Sequence, residues 1–246
     1  MNDISSIDRE IKWNESDSEQ FLQFGKALVP YREKMEKILI DLLFTYSQNE
    51  FTVVDICVGG GWLAESILKR YPKSKVIALD GCEKMLNYAK DRLTSCADRV
   101  TFKKFDIHKQ SWEENLGKVD CFTSILAIHH LNDSEKEMLF KRLYSGLKRK
   151  GRFIIADIIK PVTEESRLIA AREWDEIVEE QSMSFYGDLR AYKFFEREQW
   201  NIFYYPDPVD KPSILASQLK WLKNAGFRNI EVLFYHAGHA LFTGSK

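Results

Sequence analysis

The chain has 246 residues, of which 44% are hydrophobic and 30% charged, and its formal net charge is −1. This composition is ordinary for a soluble globular protein and gives no overall positive field that would attract nucleic acid or an anionic membrane. Four widely spaced cysteines form no CxxC pair, which argues against a structural zinc site and favours reduced thiols. We therefore expect a cytoplasmic chain with neither a membrane nor a nucleic-acid partner.

Residues 1–48 are expected to form a helical cap that precedes the sheet. Residues 1–18 are polar without clear periodicity, so we expect them to be loose or only partly ordered. From Glu19 to Phe44 apolar residues recur three or four positions apart, and Pro30 interrupts the pattern. The pattern predicts two helices joined near Pro30.

The stretch from Phe51 to Leu68 predicts a strand, a glycine turn and a helix. An apolar, β-branched run ending at Ile56 is followed by three glycines, Gly59–Gly61, and then by apolar residues at helical spacing. Glycine lets backbone N–H groups approach a ligand closely, and a helix start supplies unpaired donors and positive potential for an anionic group. This unit indicates a nucleotide-binding sheet.

Four further buried runs alternate with helical patterns along the chain, which predicts a mainly parallel sheet covered on both faces. The predicted strands are Lys75–Asp80, Val100–Asp106, Val119–Leu126 and Arg152–Ile159. Ligands bind beyond the carboxyl ends of such strands. The polar or glycine residues that fall at this edge are Gly59–Gly61, Asp80, Asp106, His129–His130 and Asp157.

Asp80 lies 19 positions after Gly61, close to the spacing between a glycine turn and a ribose-binding acid. An ionised carboxylate only accepts hydrogen bonds, so it can take both ribose hydroxyls. The same residue could instead cap a helix that starts near Cys82.

Residues 162–212 do not continue the alternation of strands and helices, and they are dense in aromatic residues. We expect an inserted helical segment that serves as a lid, as a homodimer surface or simply as packing. A helix over Ser213–Ala225 follows, and the runs Ile230–Tyr235 and His239–Thr243 predict an antiparallel hairpin at the sheet edge.

These motifs, in this order, resemble the class I S-adenosylmethionine (SAM)-dependent methyltransferases that act on small molecules and carry an HHL segment. The matching stretches are Asp55–Gly61, Leu79–Asp80 with Lys84–Leu86, Phe105–Ile107, Ile128–Leu131, Leu147–Arg152 and Gly238–Ala240. Cys57 stands where this family usually has its first glycine, which adds a side chain near the methionine end of the cofactor. The resemblance implies one domain (1–246) with a Rossmann-like, mainly parallel seven-stranded sheet and SAM as cofactor.

The resemblance also implies roles for individual residues. Those expected to bind the cofactor are Tyr31 over the methionine carboxylate, Gly59 and Gly61 at the methionine portion, Asp80 at the ribose, Met85, Asp106 and Ile107 at the adenine, and Leu126 under the sulfonium. His129, His130 and Asp157 are candidates for acid–base work if the acceptor is protonated at neutral pH. Trp174, Tyr186, Tyr192 and Tyr205 are expected to shape the pocket of a small-molecule acceptor, and no metal is expected.

Three alternatives stay open. The first is an NAD-dependent oxidoreductase, because Gly59–Ala64 formally satisfies a GxGxxA pattern and Tyr144 and Lys148 form a Tyr-x-x-x-Lys pair. Against it, the large side chain of Trp62 would crowd a pyrophosphate at this turn. The chain also resembles carboxy-SAM synthases, in which Arg190 or Arg197 would hold the added carboxylate. The third is a cofactor-binding module that lacks activity.

Overall fold

A computed structural model describes residues 15–109, 112 and 116–246. Its α-helices are α1 (Glu15–Leu28), α2 (Arg32–Leu42), α3 (Trp62–Arg70), α4 (Glu83–Arg92), α5 (Asp133–Gly146), α6 (Glu164–Tyr186), α7 (Arg190–Arg197) and α8 (Leu215–Ala225). Its strands are β1 (Phe51–Ile56), β2 (Ser74–Asp80), β3 (Val100–Lys104), β4 (Val119–Ile125), β5 (Leu147–Ile158), β6 (Arg228–His236) and β7 (His239–Ser245). The expectation for residues 1–18 falls mostly outside the described residues, and it is wrong for the last four, since α1 begins at Glu15.

The strands form one seven-stranded sheet in the order β3-β2-β1-β4-β5-β7-β6. Strands β1 to β5 pair in parallel, whereas β7 runs antiparallel to both β5 and β6. The predicted fold class is confirmed, including the C-terminal hairpin at the edge of the sheet. Because β2 and β4 flank β1 on opposite sides, the chain reverses its winding direction at β1, and a crevice forms there.

Helices cover both faces of the sheet, which explains why β1 is buried along nearly its whole length. Successive residues of a strand point to opposite faces. Val53 packs in the core that includes Leu39 of α2 and Ile67 of α3, whereas Val54 packs in the core that includes Leu139 of α5. Each such buried aliphatic side chain stabilises the fold by about 1.5–3 kcal/mol.

A third core joins the N-terminal helices to the inserted segment. It contains Phe24 of α1, Trp174 of α6 and Phe195 of α7. Trp174 Nε1 donates a hydrogen bond to the Leu28 carbonyl at 2.8 Å, which fixes α6 against the end of α1. The two segments expected to be a cap and an insertion therefore pack as one unit.

The start of β5 differs from the prediction. The strand begins at Leu147 rather than Arg152, so the basic run Lys148–Lys150 belongs to the strand and not to a connection. Leu147 pairs with Val119, and Lys150, at φ 66°, accommodates the irregular register that follows. Local charge could not reveal this, because the pairing partner lies in β4.

No helix in the described part of the chain is long and apolar enough to cross a membrane.

Candidate functional site

A cavity of about 1850 Å³ opens at the carboxyl ends of β1, β2 and β4, and its wall includes residues of α1 and of the segment 198–211. Pockets for a single small molecule usually measure about 300–1,000 Å³. This cavity therefore has room for two small molecules side by side.

The glycine turn forms one corner of the cavity. Cys57 and Gly59 both have positive φ, 58° and 54°, and the Gly59 N–H donates to Asp80 Oδ2 at 2.8 Å. Gly61, at φ 81°, is the N-cap residue of α3, and a Cβ there would lie 3.2 Å from the backbone of Ala89 in α4. Gly61 therefore serves the close approach of two helices, whereas Gly59 faces the cavity.

Asp80 ties the ends of two strands together. Its carboxylate accepts hydrogen bonds from the N–H groups of Gly59 at 2.8 Å and Cys82 at 2.9 Å. Burial raises the pKa of Asp80, although these backbone donors oppose the shift. Cys82 is the N-cap residue of α4, and Asp80 accepts from no N–H group among the described residues of that helix, so the alternative in which Asp80 caps α4 is not supported. Each oxygen accepts one of these bonds and so keeps the capacity to accept another, and Asp80 lines the cavity.

The wall beyond Asp80 combines apolar and acidic groups. Met85 is buried, and Ile107 and Asp106 lie half-buried after β3, all three on the cavity lining. Asp106 Oδ1 accepts from the His108 N–H at 3.0 Å, which turns the chain away from the sheet. The arrangement suits a planar group with polar edges.

Arg32 is a buried residue of the cavity wall that the sequence did not single out. Its guanidinium lies over the rings of Phe21 and Trp62, at 5.2 and 4.9 Å, and Nε pairs with Glu36 at 2.9 Å. Nη1 is buried at the cavity without a partner among the described residues. An unpaired buried N–H is unfavourable, so this group calls for an anionic ligand. The helical periodicity did not indicate that Arg32 is buried, since a charged residue on an amphipathic helix usually faces solvent.

The structure brings His129, His130 and Asp157 together and adds Asp210. Asp157 accepts from the His129 backbone N–H at 2.9 Å and from Nδ1 at 2.5 Å. One oxygen of Asp210 lies 3.3 Å from His129 Nε2 and 3.1 Å from His130 Nδ1. Burial lowers the pKa of His129, but the two carboxylates outweigh burial and raise it to about 10. Burial and the neighbouring imidazole lower the pKa of His130.

Asp210 is held firmly although it lies in an irregular segment. Lys136, a buried residue of α5, donates from Nζ to the Lys211 carbonyl and to Ser213 Oγ. The Lys211 N–H donates to the His129 carbonyl at 2.8 Å. Asp210 lies 80 positions after His130, and no local pattern links the two.

His239, the first residue of β7, is a further residue whose role sequence reasoning did not identify. Its ring is fully buried and lies edge-on to Trp174 at 4.6 Å. Nδ1 donates to the Ala237 carbonyl at 2.7 Å, and Nε2 has no partner among the described residues. Burial lowers the pKa of His239 to about 4, so the ring is neutral at pH 7. His239 therefore offers the cavity a hydrogen-bond acceptor.

The residues expected at the site fall into two groups. Those on the cavity lining are Gly59, Asp80, Met85, Asp106, Ile107, Leu126, His129, His130, Trp174 and Tyr205, and those outside it are Tyr31, Gly61, Asp157, Tyr186 and Tyr192. The Tyr31 ring packs against Phe234 of β6, and the Tyr186 hydroxyl donates to the Gln23 carbonyl at 2.8 Å. Both side chains thus serve contacts between elements in the structure.

The residues invoked for the alternatives lie away from the cavity. Arg190 is exposed and pairs with Asp188 at 2.6 Å, and Arg197 pairs with Glu198 at 2.8 Å. The assignment of either arginine to a ligand carboxylate is therefore not supported. Lys148 of the Tyr-x-x-x-Lys pair forms an ion pair with Asp120 instead.

Comparison with known proteins gives a family match. Residues 53–151 match the family described as "Methyltransferase domain". The chain is 23% identical to the carboxy-S-adenosyl-L-methionine synthase of Nautilia profundicola, over 98% of this chain and 96% of that protein. It is 25% identical to the demethylmenaquinone methyltransferase of Thermotoga maritima, over 88% of this chain and 84% of that protein.

A solved structure has the same fold over nearly its whole length. The magnesium protoporphyrin IX methyltransferase of Synechocystis PCC 6803, with bound SAH, superposes with a TM-score of 0.61 at 15% identity and covers 95% of each chain.

Proposed function

We propose, from the premise that this chain is a class I SAM-dependent methyltransferase, that it methylates a small molecule bound beside the cofactor in the same cavity. The cofactor, SAM, supplies a methyl group already activated on a sulfonium centre. The observation that carries the proposal is the continuity of the cavity. It extends from the Asp80 corner to the buried acceptor nitrogen of His239.

The chain's own residues fit the cofactor at one end of this cavity. Asp80 has lone pairs for the two ribose hydroxyls, and Asp106 has an acceptor oxygen for an amino group on the adenine. The unpaired Arg32 Nη1 would find its partner in the carboxylate of the methionine portion. Arg32 thus takes the place for which the sequence suggested Tyr31.

At the other end we propose that His239 and Trp174 hold the methyl acceptor. His239 Nε2 can accept a hydrogen bond from an O–H or N–H group of the acceptor. This bond would orient a lone pair on the same acceptor oxygen or nitrogen toward the methyl group of SAM. Trp174 presents a buried aromatic face next to it. We therefore infer an acceptor that carries a hydroxyl or an amine.

The cofactor assignment is tested by calorimetry with two ligands, S-adenosylhomocysteine and 5′-methylthioadenosine, which lacks the amino-acid portion. Asp80→Asn keeps the shape of the side chain but loses the charge, so we expect both ligands to bind at least tenfold more weakly, about 1.4 kcal/mol. Arg32→Ala should weaken only S-adenosylhomocysteine by tenfold or more.

Asp98→Asn, an exposed acid after α4, is the matched control and should change neither affinity. Equal losses for both ligands in Arg32→Ala would contradict the carboxylate assignment. Unchanged binding in Asp80→Asn would contradict the ribose assignment.

Turnover is tested by incubating the protein with SAM and panels of hydroxylated or amine-bearing small molecules, with mass detection of S-adenosylhomocysteine.

A second candidate function is carboxy-SAM synthesis. It is favoured by the similarity to a carboxy-S-adenosyl-L-methionine synthase, which aligns over 98% of this chain. Incubation with SAM and prephenate, followed by the mass of the nucleoside product, separates the two. A carboxylated nucleoside would replace the methyltransferase proposal.

The setting of the enzyme is part of the proposal. We infer one domain over 1–246, located in the cytoplasm, in which the cap 1–48 and the insertion 162–212 act as a lid. The free state of all four cysteines agrees with a reducing compartment. The exposed aromatic side chains of the insertion, such as Phe185 and Tyr204, also suit a homodimer contact.

A further inference from the structure

Two imidazoles and one carboxylate converge on the cavity from distant parts of the chain. The atoms His129 Nε2, His130 Nδ1 and an oxygen of Asp210 all lie within 4.8 Å of one another. The distances to the Asp210 oxygen are 3.3 and 3.1 Å. Ligand atoms that share a metal ion at about 2.0–2.2 Å lie about 3.0–3.4 Å apart for bond angles near 90–109°. The two distances to the Asp210 oxygen thus already match edges of a coordination shell.

A second, independent observation is the buried carboxylate behind His129. Asp157 is 1% exposed and accepts from Nδ1 of His129 at 2.5 Å. This bond places the Nδ1 proton on the side away from the cavity and directs Nε2 toward Asp210. Histidines that bind metals commonly donate their other ring N–H to a carboxylate in this way, which fixes the tautomer and the ring orientation.

The carboxylate ligand is also fixed in advance. The Lys136 ammonium holds the carbonyl of Lys211 and the hydroxyl of Ser213, the residues that follow Asp210. A site that is positioned before binding does not lose much conformational entropy when the ion enters.

We propose that His129, His130 and Asp210 bind a divalent first-row transition-metal ion, with Asp157 positioning His129. Two imidazole nitrogens and one carboxylate oxygen form the ligand set of ions such as Zn²⁺, Fe²⁺ and Co²⁺ and leave coordination positions open. All three ligands line the cavity, so the open positions face the acceptor end. No metal was expected from the sequence, where the cysteines form no CxxC pair and Asp210 lies 80 positions after His130.

The role of the ion in methyl transfer rests on the proposed function. A divalent ion binds and polarises an oxygen donor, and it lowers the pKa of a bound hydroxyl group. It would therefore select acceptors with an oxygen next to the methylated group. Metal binding itself requires neither SAM nor an acceptor.

The test uses the full chain after chelator treatment and dialysis, titrated with Co²⁺ and followed by its visible absorption, and with Zn²⁺ by calorimetry. We expect one ion per chain, no thiolate-to-cobalt band, and at least tenfold weaker binding in His130→Ala and in the isosteric Asp210→Asn. Asp157→Asn should weaken binding by about 10–100-fold. His236→Ala, which removes a histidine outside the cluster, should bind as the unchanged protein does.

Affinity for S-adenosylhomocysteine, measured on the same preparations, reports whether each variant is folded. Absence of stoichiometric binding, or binding that Asp210→Asn leaves unchanged in a variant that retains the nucleoside, would overturn the metal site. That result would leave the cofactor assignment standing. Conversely, loss of nucleoside binding with intact Co²⁺ binding would count against the proposed function alone.

Discussion

Cys57 adopts a backbone conformation that favours glycine, with φ at 58°. The position lies between β1 and Gly59, where the related methyltransferases usually have glycine. For a residue with a Cβ, the left-handed region costs about 1–2 kcal/mol. Desolvation raises the pKa of the Cys57 thiol well above its usual value, so the thiol stays protonated and unreactive. The backbone strain at Cys57 is therefore not explained by a reactive thiol.

Comparison of Cys57→Gly with Cys57→Ala isolates this strain. Both variants lose the sulfur, but only glycine removes the Cβ, so we expect Cys57→Gly to be more stable than Cys57→Ala by about 1 kcal/mol. Urea unfolding of the ligand-free proteins measures the difference. Equal stability of the two variants would show that the backbone at this position is not strained.

Asp55 gives the stability of the protein a dependence on pH. It is buried in β1 and accepts a hydrogen bond from Thr123 Oγ1 at 3.1 Å. Desolvation raises its pKa from 3.8 to about 7, although the bond from Thr123 opposes the shift. The folded state therefore binds more protons than the unfolded state between about pH 4 and pH 7. Stability contributed by the protonated form is complete below this window and is lost as the pH rises through it.

We expect Asp55→Asn, which stays neutral, to become progressively more stable than the unchanged protein from pH 4 to pH 7. The difference in unfolding free energy should grow by up to about 1.4 kcal/mol per pH unit and then level off. Urea unfolding at a series of pH values measures it, with Asp98→Asn as the control. A constant difference across this range would mean that Asp55 titrates normally.

At the scale of elements, α6 holds the N-terminal helices in position. Gln181 of α6 donates from Nε2 to the carbonyls of Ala27 and Val29, at 2.7 and 3.1 Å, and its Oε1 accepts from the Tyr31 N–H at 3.0 Å. These three groups belong to the last turn of α1 and to its connection with α2. Pro30 has no N–H to offer, so the side chain of a distant helix satisfies the groups around it.

Gln181→Ala should destabilise the protein by about 1–3 kcal/mol, because three backbone groups each lose a hydrogen bond. Hydrogen exchange in α1 should accelerate at the same time, since its C-terminal end is released. Glu180→Ala, at the exposed neighbouring position, should change stability by about 0.5 kcal/mol or less. If the two variants behaved alike, α6 would not be the support of the cap.

At the scale of the whole molecule, the polar side chains of the candidate site lie along one edge of the sheet. The parallel strands β1, β2, β4 and β5 all end there, and Asp80 and Asp157 lie at or near the ends of β2 and β5. The insertion and β7 contribute Trp174, Asp210 and His239 from the other side. The proposed cofactor end thus comes from the sheet and its first helices, whereas late segments of the chain complete the proposed acceptor end. This division explains how one fold serves different acceptors.

Much of this edge was predictable from the sequence alone. Strand and helix periods located β1, α3 and β2, and parallel pairing brings their ends together without further information. Asp80 and Gly59 were found in this way, because a residue at a strand end has a defined place once the strand is known. The mainly parallel, seven-stranded sheet and the final hairpin followed from the same rules together with the family resemblance, whereas the order of the strands came from the structure.

Only the tertiary structure decided which further side chains line the cavity. Arg32 is buried because Phe21 and Trp62 cover it, and Asp210 meets His129 because Lys136 holds its loop. Tyr186, by contrast, packs on α1 and does not reach the pocket that the aromatic pattern suggested. Periodicity reports which face of an element is buried, but contacts between irregular segments far apart in the chain depend on packing in three dimensions, which no local pattern records.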